Sequence, residues 1–423
     1  MSALPQNGRL VIVGGGLAAA KAVEAARGCT FEGNTVLVTA EAHLPYERPP
    51  LSKEYLRGEA EFSAQVVHDD AWYEGRFVDV RRGVRAARID RDTRQLVLES
   101  GEELAYDALV LATGSVPRLP ATPSADAAGV HVLRSKEDAD ALRGALKEGA
   151  RLVVVGGGWI GLEAAASARA LGAEVTVVLR GQEPLARVLG PELGRFYADL
   201  QAEHGVRLLR GERVEEVLSE NGAATGVLLG SGERLPADLV LFGIGADPAT
   251  ELAREAGLEL GDGVLVNELF QTSDPAIYAV GDIANYPHPR HGRIRVEHWD
   301  AALHQPATAV AAILGAPEPY DHEPYFYSDQ YDVGMEYVGH VPDPAGTRLV
   351  IRGDLAARAF VALWLSEQDA LLASMNVNVW DVVDEVLPLI RSGVKLCPKR
   401  LADPSIPWAE TTADQEIPPA PPD

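Results

Sequence analysis

Cysteine is nearly absent from this chain, which has two among its 423 residues, Cys29 and Cys397. Two cysteines so far apart in sequence exclude a disulfide framework, and they also exclude a cysteine-rich zinc or iron–sulfur site. Long apolar runs are missing too, since none reaches the roughly 18 residues that a membrane-spanning helix needs. The opening residues, MSALPQNGRL, lack the architecture of a signal peptide. We therefore expect a soluble, cytoplasmic protein.

Basic residues are in the minority. The chain has 38 Lys and Arg against 62 Asp and Glu, which gives a formal net charge of −24. Nucleic acids and anionic membranes bind basic surfaces, so neither is expected as a partner. Hydrophobic residues make up 47% of the chain. That content and the length together predict two to four domains with large cores.

One stretch occurs twice. Residues 9–16 are RLVIVGGG and residues 151–158 are RLVVVGGG, and an alanine-rich helical pattern follows each copy. This is the strand, turn and helix that open a dinucleotide-binding βαβ unit, in which a pyrophosphate binds at the helix N-terminus. Each unit has small residues at three expected positions. Gly14 and Gly156 make the tight turns, and Gly16 and Gly158 face the pyrophosphates. Ala19 and Gly161 lie between helix and strand. The two copies, called here the first and second units, predict an α/β protein that binds two dinucleotides.

The residues that end the second strand of each unit bear on which nucleotide binds there. Glu41 follows the predicted strand 35–39, where such units place an acid on a ribose hydroxyl, although an ordinary surface glutamate is the alternative. The corresponding strand of the second unit, 174–180, ends in Leu179 and Arg180, with Arg187 further on. Arginine suits the 2′-phosphate of NADPH, whereas an acid there binds NAD. We expect a preference for NADPH; the alternative is a permissive site with Arg180 facing solvent.

Other segments add polar groups at the ends of predicted strands or in a rigid loop. The loop 44–53, LPYERPPLSK, is stiffened by its prolines and presents Arg48 and Lys53, which are either surface charges or contacts to phosphate or flavin. A β-meander is expected over 76–113, returning to a buried strand, 108–114, that ends in Thr-Gly. Asp282 ends another short strand and is placed to bind a sugar-like chain. A helix over 296–315, a second meander from about 325, a helix over 378–393 and a disordered tail complete the predicted order.

Nine segments in this order and spacing carry a resemblance to a known family: IVGGGLAAA, PYERPPLSK, LVLATGSVPR, VLRSKEDADALR, VVVGGGWIGLE, ADLVLFGIG, TSDPAIYAVGD, RVEHWDAALHQ and FYSDQYD. The chain resembles, to about residue 407, the flavoprotein ferredoxin reductases of the glutathione-reductase structural class, of the putidaredoxin-reductase and rubredoxin-reductase type. It is also similar to the apoptosis-inducing-factor flavoproteins. The resemblance implies two Rossmann-like domains, for FAD and NAD(P), and a C-terminal α+β domain. The expected boundaries are 1–114 with 247–324 for FAD, 115–246 for NAD(P), 325–408 for the C-terminal interface domain and 409–423 for the disordered tail.

The resemblance also implies roles for individual residues. The FAD would contact Gly14, Gly16, Ala19, Glu41, Arg48, Ala86, Thr113, Gly114, Arg134, Asp282, His298 and Trp299. The nicotinamide dinucleotide would contact Gly156, Gly158, Ile160, Gly161 and Gly245. Arg180 and Arg187 are added to this set by the residue argument above and not by the resemblance. Lys53, near flavin N5, would pair with Glu163 where flavin and nicotinamide meet, and these two are the expected catalytic residues.

Three positions depart from the family pattern: relatives often have a Gly-Glu or Gly-Asp pair at Thr39-Ala40, an acid at Leu179 and a tryptophan at Tyr327. A fourth difference decides the reaction branch. The disulfide reductases of the class carry a cysteine pair in the loop that is PYERPPLSK here, so this chain cannot run a dithiol relay.

The expected activity is therefore NAD(P)H-dependent reduction of FAD, followed by single-electron transfer to a [2Fe–2S] ferredoxin that serves a cytochrome P450 or a Rieske-type oxygenase. The alternatives are a rubredoxin or oxygenase-component reductase, or a redox-signalling flavoprotein. A monomer or weak dimer is expected. The cations proposed to contact an acidic ferredoxin are Arg290, His291, Arg293, Arg295, Lys395, Lys399 and Arg400.

Overall fold

Two parallel five-stranded sheets carry the two glycine-rich units in the computed structural model, which describes residues 4–29 and 31–413. The first sheet has the order β20 (Ile277–Ala279), β7 (Ala108–Leu111), β1 (Arg9–Val13), β2 (Asn34–Thr39) and β3 (Val78–Arg82). The second has the order β12 (Arg207–Arg210), β11 (Glu174–Leu179), β10 (Arg151–Val155), β16 (Leu239–Phe242) and β9 (Val130–His131). Their central strands are largely apolar because both faces of each sheet are covered by other parts of the fold.

Four smaller sheets are separate from these two in the described residues. A three-stranded antiparallel sheet contains β4 (Ala86–Asp90), β5 (Gln95–Leu98) and β6 (Glu103–Ala105), and another contains β13 (Val214–Glu220), β14 (Ala223–Leu229) and β15 (Arg234–Pro236). β8 (Ser115–Pro117) pairs with β17 (Ala246–Pro248) where the chain crosses between the units. β18 (Leu260–Gly261), β19 (Gly263–Leu265), β21 (Ala284–His288) and β22 (Gly292–Arg295) form a four-stranded sheet.

A five-stranded antiparallel sheet forms the C-terminal part. Its order is β23 (Tyr325–Gln330), β24 (Val333–Gly339), β27 (Leu371–Val377), β26 (Ala359–Leu365) and β25 (Arg348–Asp354). One face of this sheet shares a core with the second unit, through side chains such as Phe326 and Trp364. The other face packs on the helix α10 (Val383–Ser392) through Leu363 and Val386.

The remaining helices connect and cover the sheets. They are α1 (Leu17–Gly28), α2 (Glu54–Arg57), α3 (Asp70–Glu74), α4 (Lys136–Ala145), α5 (Trp159–Ala170), α6 (Ala186–Leu189), α7 (Pro191–Glu203), α8 (Glu251–Glu255), α9 (Trp299–Ile313) and α11 (Pro398–Ala402). Short 3₁₀ turns lie at Pro49–Ser52, Phe62–Gln65, Gly281–Ile283, Pro344–Gly346 and Trp408–Glu410. Alanines on α1 allow close packing on the first sheet and on α9, because their side chains are small.

The predicted fold class is confirmed, with strand, glycine turn and helix in both units. The meander prediction over 76–113 is partly wrong, because Val78–Arg82 joins the parallel sheet as the partner of Asn34–Thr39. The disordered tail is wrong for residues 409–413: Cys397 N donates to Thr411 O at 2.8 Å and Ala413 N donates to Lys395 O at 3.0 Å. These backbone hydrogen bonds hold the segment despite its polar composition. Residues 414–423, the rest of the predicted tail, lie outside the described residues.

Candidate active site

Two glycine turns open the N-termini of α1 and α5 toward a shared cavity. Gly14 has a φ of +154°, and a Cβ built on it would lie 2.2 Å from Ala112 O. Gly156 has a φ of +118°, and its Cβ would lie 2.2 Å from Gly243 O. Any side chain at either position would therefore collide with the neighbouring strand. At Gly16 the nearest described atom to a built Cβ is 3.7 Å away, and at Gly158 no described atom lies within 4 Å, so the backbone there is open to a ligand.

Both helices leave their first backbone N–H groups without a side-chain partner. Gly16 precedes α1 and Gly158 precedes α5, neither makes a side-chain cap, and neither helix has an acid in its first turn. Uncapped N–H groups and the positive end of the helix dipole bind anions such as a pyrophosphate. The residues present thus fit a dinucleotide pyrophosphate at each unit.

The cavity between the two units has a volume of about 1870 Å³. This exceeds the roughly 300–1,000 Å³ of a pocket for one small molecule, and it is large enough for two dinucleotides. The predicted contact residues that line it are Gly14, Gly16, Glu41, Arg48, Lys53, Ala86, Thr113, Gly114, Arg134, Gly156, Gly158, Ile160, Glu163, Arg180, Arg187, Gly245, Asp282, His298 and Trp299.

Ala19 and Gly161, also predicted to contact the cofactors, do not line this cavity. Ala19 is fully buried in α1. A Cβ on Gly161 would lie 2.8 Å from Gly156 O and 3.4 Å from a methyl group of Val154. Both positions hold helix against strand, which is the packing role that the sequence pattern assigns to them.

Glu41 lies at the far end of the first unit and is held by two donors. Arg48 donates to Glu41 Oε1 at 2.6 Å, and the Tyr46 hydroxyl donates to Glu41 Oε2 at 2.6 Å. Burial raises the pKa of the Tyr46 hydroxyl, so it stays a donor. The predicted ribose acid is therefore fixed beside Arg48, which also donates to Arg134 O at 2.6 Å.

Asp282 lies just beyond β20, at the carboxyl end of the first sheet. Its Oδ2 accepts from Ser115 Oγ at 2.7 Å and from Arg134 at 2.8 Å. Burial alone would raise the pKa of the Asp282 carboxyl, but the charge of Arg134 and the two hydrogen bonds outweigh it and lower that pKa. A carboxylate held ionised at this edge, with Oδ1 still available, is suited to accept from ligand hydroxyl groups.

Lys53 and Glu163 form a buried ion pair, as the resemblance implied. Lys53 Nζ lies 2.8 Å from Glu163 Oε2, and their side chains are 7% and 5% exposed. Ser52 Oγ donates to the same oxygen at 2.5 Å, and Ser328 Oγ donates to Glu163 Oε1 at 2.7 Å. The pair thus joins the loop of the first unit, helix α5 of the second unit and strand β23 of the C-terminal sheet.

A chain of buried amides continues from Ser328. Gln330 donates to Ser328 Oγ at 3.5 Å, Gln201 donates to Gln330 Oε1 at 2.9 Å, and the Tyr331 hydroxyl donates to Gln201 Oε1 at 3.1 Å. Sequence reasoning did not find these residues. The alternation in FYSDQYD was the available signal, since it places Ser328 and Gln330 on the same face of a strand.

Aromatic rings border the ion pair. The ring centroids of Trp299 and Tyr327 are 6.0 Å apart at 78°, and Lys53 Nζ lies 5.7 Å from the Tyr327 centroid. Trp299 Nε1 donates to Glu47 at 2.7 Å, which fixes the indole. His298 stacks on Phe326 with centroids 4.4 Å apart, and burial lowers the pKa of His298 to about 4, so the ring is neutral at pH 7. These planar groups form a wall for a planar ligand.

Arg180 and Arg187 lie at the opposite end of the cavity, beside the second unit. Both are exposed, and among the described residues neither forms an ion pair, whereas the nearby Glu183 is engaged by Arg195 and Arg210. Leu179 is buried under the glycine turn, where it cannot offer a polar group. Arg180 and Arg187 therefore give this end of the cavity two positive charges that no described carboxylate pairs with.

The two cysteines take no part in the cavity. Cys29 follows α1 and is exposed, and Cys397 precedes α11. Neither lines the cavity, so no thiol within the described residues can relay electrons from it.

The expected cationic surface is only partly present. Arg295 is 8% exposed at its side chain and pairs with Asp262 and Glu297, and Arg400 is 6% exposed. Glu323 pairs with both Arg290 and His291. Arg293, Lys395 and Lys399 remain exposed. The prediction is wrong for the buried Arg295 and Arg400, because a run of cations in sequence does not show which of them pack inward. For the other members it stays a prediction.

Comparison with known proteins identifies the family. Residues 8–306 match the family described as pyridine nucleotide-disulphide oxidoreductase. The chain belongs to this family. Residues 325–412 match a second family, described as reductase C-terminal, which covers the C-terminal sheet, α10 and α11.

Three similar proteins are matched over almost their full length. Putidaredoxin reductase of Pseudomonas putida is 39% identical over 96% of this chain and 97% of its own. The ferredoxin–NAD(+) reductase component of the anthranilate 1,2-dioxygenase system of Burkholderia cepacia is 37% identical over 94% and 97%. The crystal structure of the ferredoxin reductase for the CYP199A2 system of Rhodopseudomonas palustris matches with a TM-score of 0.91, at 35% identity, over 96% of this chain and 100% of that one. Within residues 4–29 and 31–413, no helix is long and apolar enough to cross a membrane.

Proposed function

We propose that this protein is an NAD(P)H-dependent flavoprotein reductase that passes electrons singly to a [2Fe–2S] ferredoxin, which in turn serves a cytochrome P450 or a Rieske-type oxygenase. The observation that carries the proposal is the buried Lys53–Glu163 pair between two uncapped glycine turns in one cavity. The similarity to ferredoxin reductases of oxygenase and P450 systems supports the choice of acceptor. The free thiols suit a cytoplasmic location.

The first sheet is proposed to hold FAD, and the second sheet the nicotinamide dinucleotide. The proposed FAD domain consists of residues 1–114 and 247–324. Strand β20 from the second segment pairs with β7 from the first, which supports this division. The proposed NAD(P) domain, 115–246, contains the whole second sheet. When bound, the flavin accepts a hydride from the nicotinamide and releases the electrons one at a time.

The chain's own groups bind and orient the two cofactors. The N-termini of α1 and α5 hold the pyrophosphates, and Asp282, kept ionised by Arg134, accepts from hydroxyl groups. Lys53 supplies a positive charge that Glu163 fixes in place; a fixed charge in a site of low dielectric stabilises developing negative charge more strongly than it would in water. Trp299 and Tyr327 close the wall beside it and exclude water.

The proposed donor is NADPH in preference to NADH. Arg180 and Arg187 line the cavity as free cations, and the buried Leu179 offers no carboxylate to a ribose 2′-hydroxyl. The name of the Burkholderia cepacia component specifies NAD(+), so a simple transfer from that relative favours NADH. The two donors must therefore be compared directly.

Anaerobic stopped-flow mixing of the purified yellow protein with each donor tests the proposal. Rapid loss of flavin absorbance, followed by reduction of an added [2Fe–2S] ferredoxin, is the expected result. Slow bleaching with both donors would contradict a reductase and favour a signalling flavoprotein. Fast bleaching that saturates at lower NADH than NADPH would contradict only the choice of donor.

A further inference from the structure

Asp300 is a buried carboxylate with two histidine partners. It lies in the first turn of α9 and is 4% exposed. Asp300 Oδ1 lies 2.9 Å from His304 Nδ1, and Oδ2 lies 2.9 Å from His322 Nε2. Within the part of the chain that the structure describes, no lysine or arginine pairs with it. Burying a carboxylate costs free energy unless a positive charge compensates it, so we expect a cation beside Asp300.

The three side chains converge from two elements. Asp300 and His304 are one turn apart on α9, and His322 comes from the segment 314–324 between α9 and β23. One ligand atom from each of the three lies within 4.8 Å of the others. The imidazole centroids are 4.2 Å apart at an interplanar angle of 26°. The histidine side chains are 42% and 37% exposed, so an ion between them would remain open to water.

We propose that Asp300, His304 and His322 bind one divalent transition-metal ion, with Zn²⁺ as the best-fitting ion. Two imidazole nitrogens and one carboxylate oxygen, with water in the fourth position, make a tetrahedral zinc set. Mg²⁺ and Ca²⁺ prefer oxygen ligands throughout and fit poorly. On binding, the proton at each ligating nitrogen is lost to solvent or moves to the other ring nitrogen, His304 Nε2 or His322 Nδ1. The dication then compensates Asp300.

A second cluster, formed by His288, His291 and Glu323, fits a metal ion less well. Glu323 is already paired with Arg290. His288 Nδ1 accepts from the backbone N–H of Arg290 and of His291 at 3.2 and 3.3 Å. A neutral ring that accepts at Nδ1 carries its proton on Nε2, and here that proton cannot move to Nδ1 without breaking both backbone hydrogen bonds, so Nε2 is a poor metal ligand. This cluster therefore serves as an internal comparison.

The proposed ion would connect two parts of the fold. It would fasten the segment 314–324 to the first turn of α9, immediately beyond Trp299, which lines the cavity. The C-terminal sheet begins at Tyr325, so the ion would also fix where that sheet joins the helix. Its role would be structural, and its binding does not depend on the proposed redox reaction.

Zinc titration of the flavin-loaded protein tests the site. The protein should be free of any histidine tag and dialysed against EDTA before isothermal titration with ZnCl₂ and, separately, MgCl₂. We expect about one equivalent of Zn²⁺ and no heat from Mg²⁺. His304→Gln and His322→Gln should each weaken zinc binding by about tenfold or more. His291→Gln, which alters the neighbouring cluster, should leave it unchanged.

Two further measurements keep the result independent of variant folding. Zn²⁺ should raise the thermal denaturation temperature of the wild-type protein and of His291→Gln, because an ion that binds only the folded state stabilises it. Anomalous scattering from a zinc-soaked wild-type crystal should place the ion at roughly 2.0–2.2 Å from all three ligands. Absence of zinc binding, an ion at His288 and His291, or full affinity in both histidine variants would overturn the proposal.

Discussion

Ser328 Oγ, on strand β23 of the C-terminal sheet, donates a 2.7 Å hydrogen bond to Glu163 Oε1, on helix α5 of the second unit. The opposite oxygen of Glu163 accepts from Lys53, on the loop of the first unit. One carboxylate is therefore held from three parts of the chain. The C-terminal sheet contributes to the geometry of the candidate active site, in addition to its packing against the second unit.

Replacing Ser328 with alanine should disturb Glu163. The change leaves a buried carboxylate oxygen without its donor, which we expect to lower the free energy of unfolding by about 1–3 kcal/mol. It should also slow flavin reduction, because Glu163 then holds Lys53 less rigidly. Urea unfolding and single-turnover kinetics measure the two effects. Ser374→Ala is a matched control on the same sheet, since the buried Ser374 hydroxyl has no hydrogen-bond partner among the residues that the structure describes. Equal losses in both variants would contradict a specific role for Ser328.

Gly14→Ala should prevent flavin binding. The new Cβ would lie 2.2 Å from Ala112 O, so the turn must open and the N-terminus of α1 must move away from the pyrophosphate. The purified variant is expected to be colourless, as judged by its visible flavin absorbance relative to its protein absorbance. Gly28→Ala, on the same helix with no atom of the described residues within 4 Å of its built Cβ, should remain yellow. A yellow Gly14→Ala protein would show that the turn tolerates a side chain.

The contribution of Asp282 to stability should depend on pH in one direction. The pKa of Asp282 is lower in the folded protein than in the unfolded chain, where it is roughly 3.9. The ionised carboxylate therefore stabilises the fold fully above the unfolded pKa. This stabilisation is lost as the pH falls from there through the pKa of the folded state. Asp282→Asn should therefore be destabilised by about 2 kcal/mol at pH 7, and the difference from wild type should shrink below pH of about 4. Unfolding by urea across this range measures it. Asp199→Asn, at an exposed position, should show no such trend; a constant difference for Asp282→Asn would refute the linkage.

The donor preference should reside in Arg180 and Arg187. Replacing both by glutamine should raise the KM for NADPH by about tenfold or more while that for NADH changes little, since only NADPH carries the 2′-phosphate. Steady-state assays with a small dye acceptor measure both constants. Arg234→Gln removes an exposed cation on β15, away from the cavity, and should alter neither. Equal changes for the two donors would place the arginines outside the phosphate site.

The sequence by itself determined the two βαβ units, because apolar runs that end in glycine and open into alanine-rich helices have few other solutions. It also determined that no dithiol operates here, since the loop before Lys53 contains no cysteine. Only the tertiary structure decided how Glu163 is held. Ser328 is 165 residues away along the chain. No local sequence pattern predicts a hydrogen bond between two residues so far apart in sequence.

The same reason explains the wrong predictions. Val78–Arg82 alternates like a meander strand, but its register with β2 is set by the sheet edge that it meets. Arg295 and Arg400 look like surface cations in sequence, yet both pack inward because their long side chains find partners there. The pairing of Asp300 with His304 follows from helical spacing, whereas its pairing with His322 depends on where the chain returns after α9. Local pattern fixes which side chains share an element, and tertiary packing fixes which elements meet.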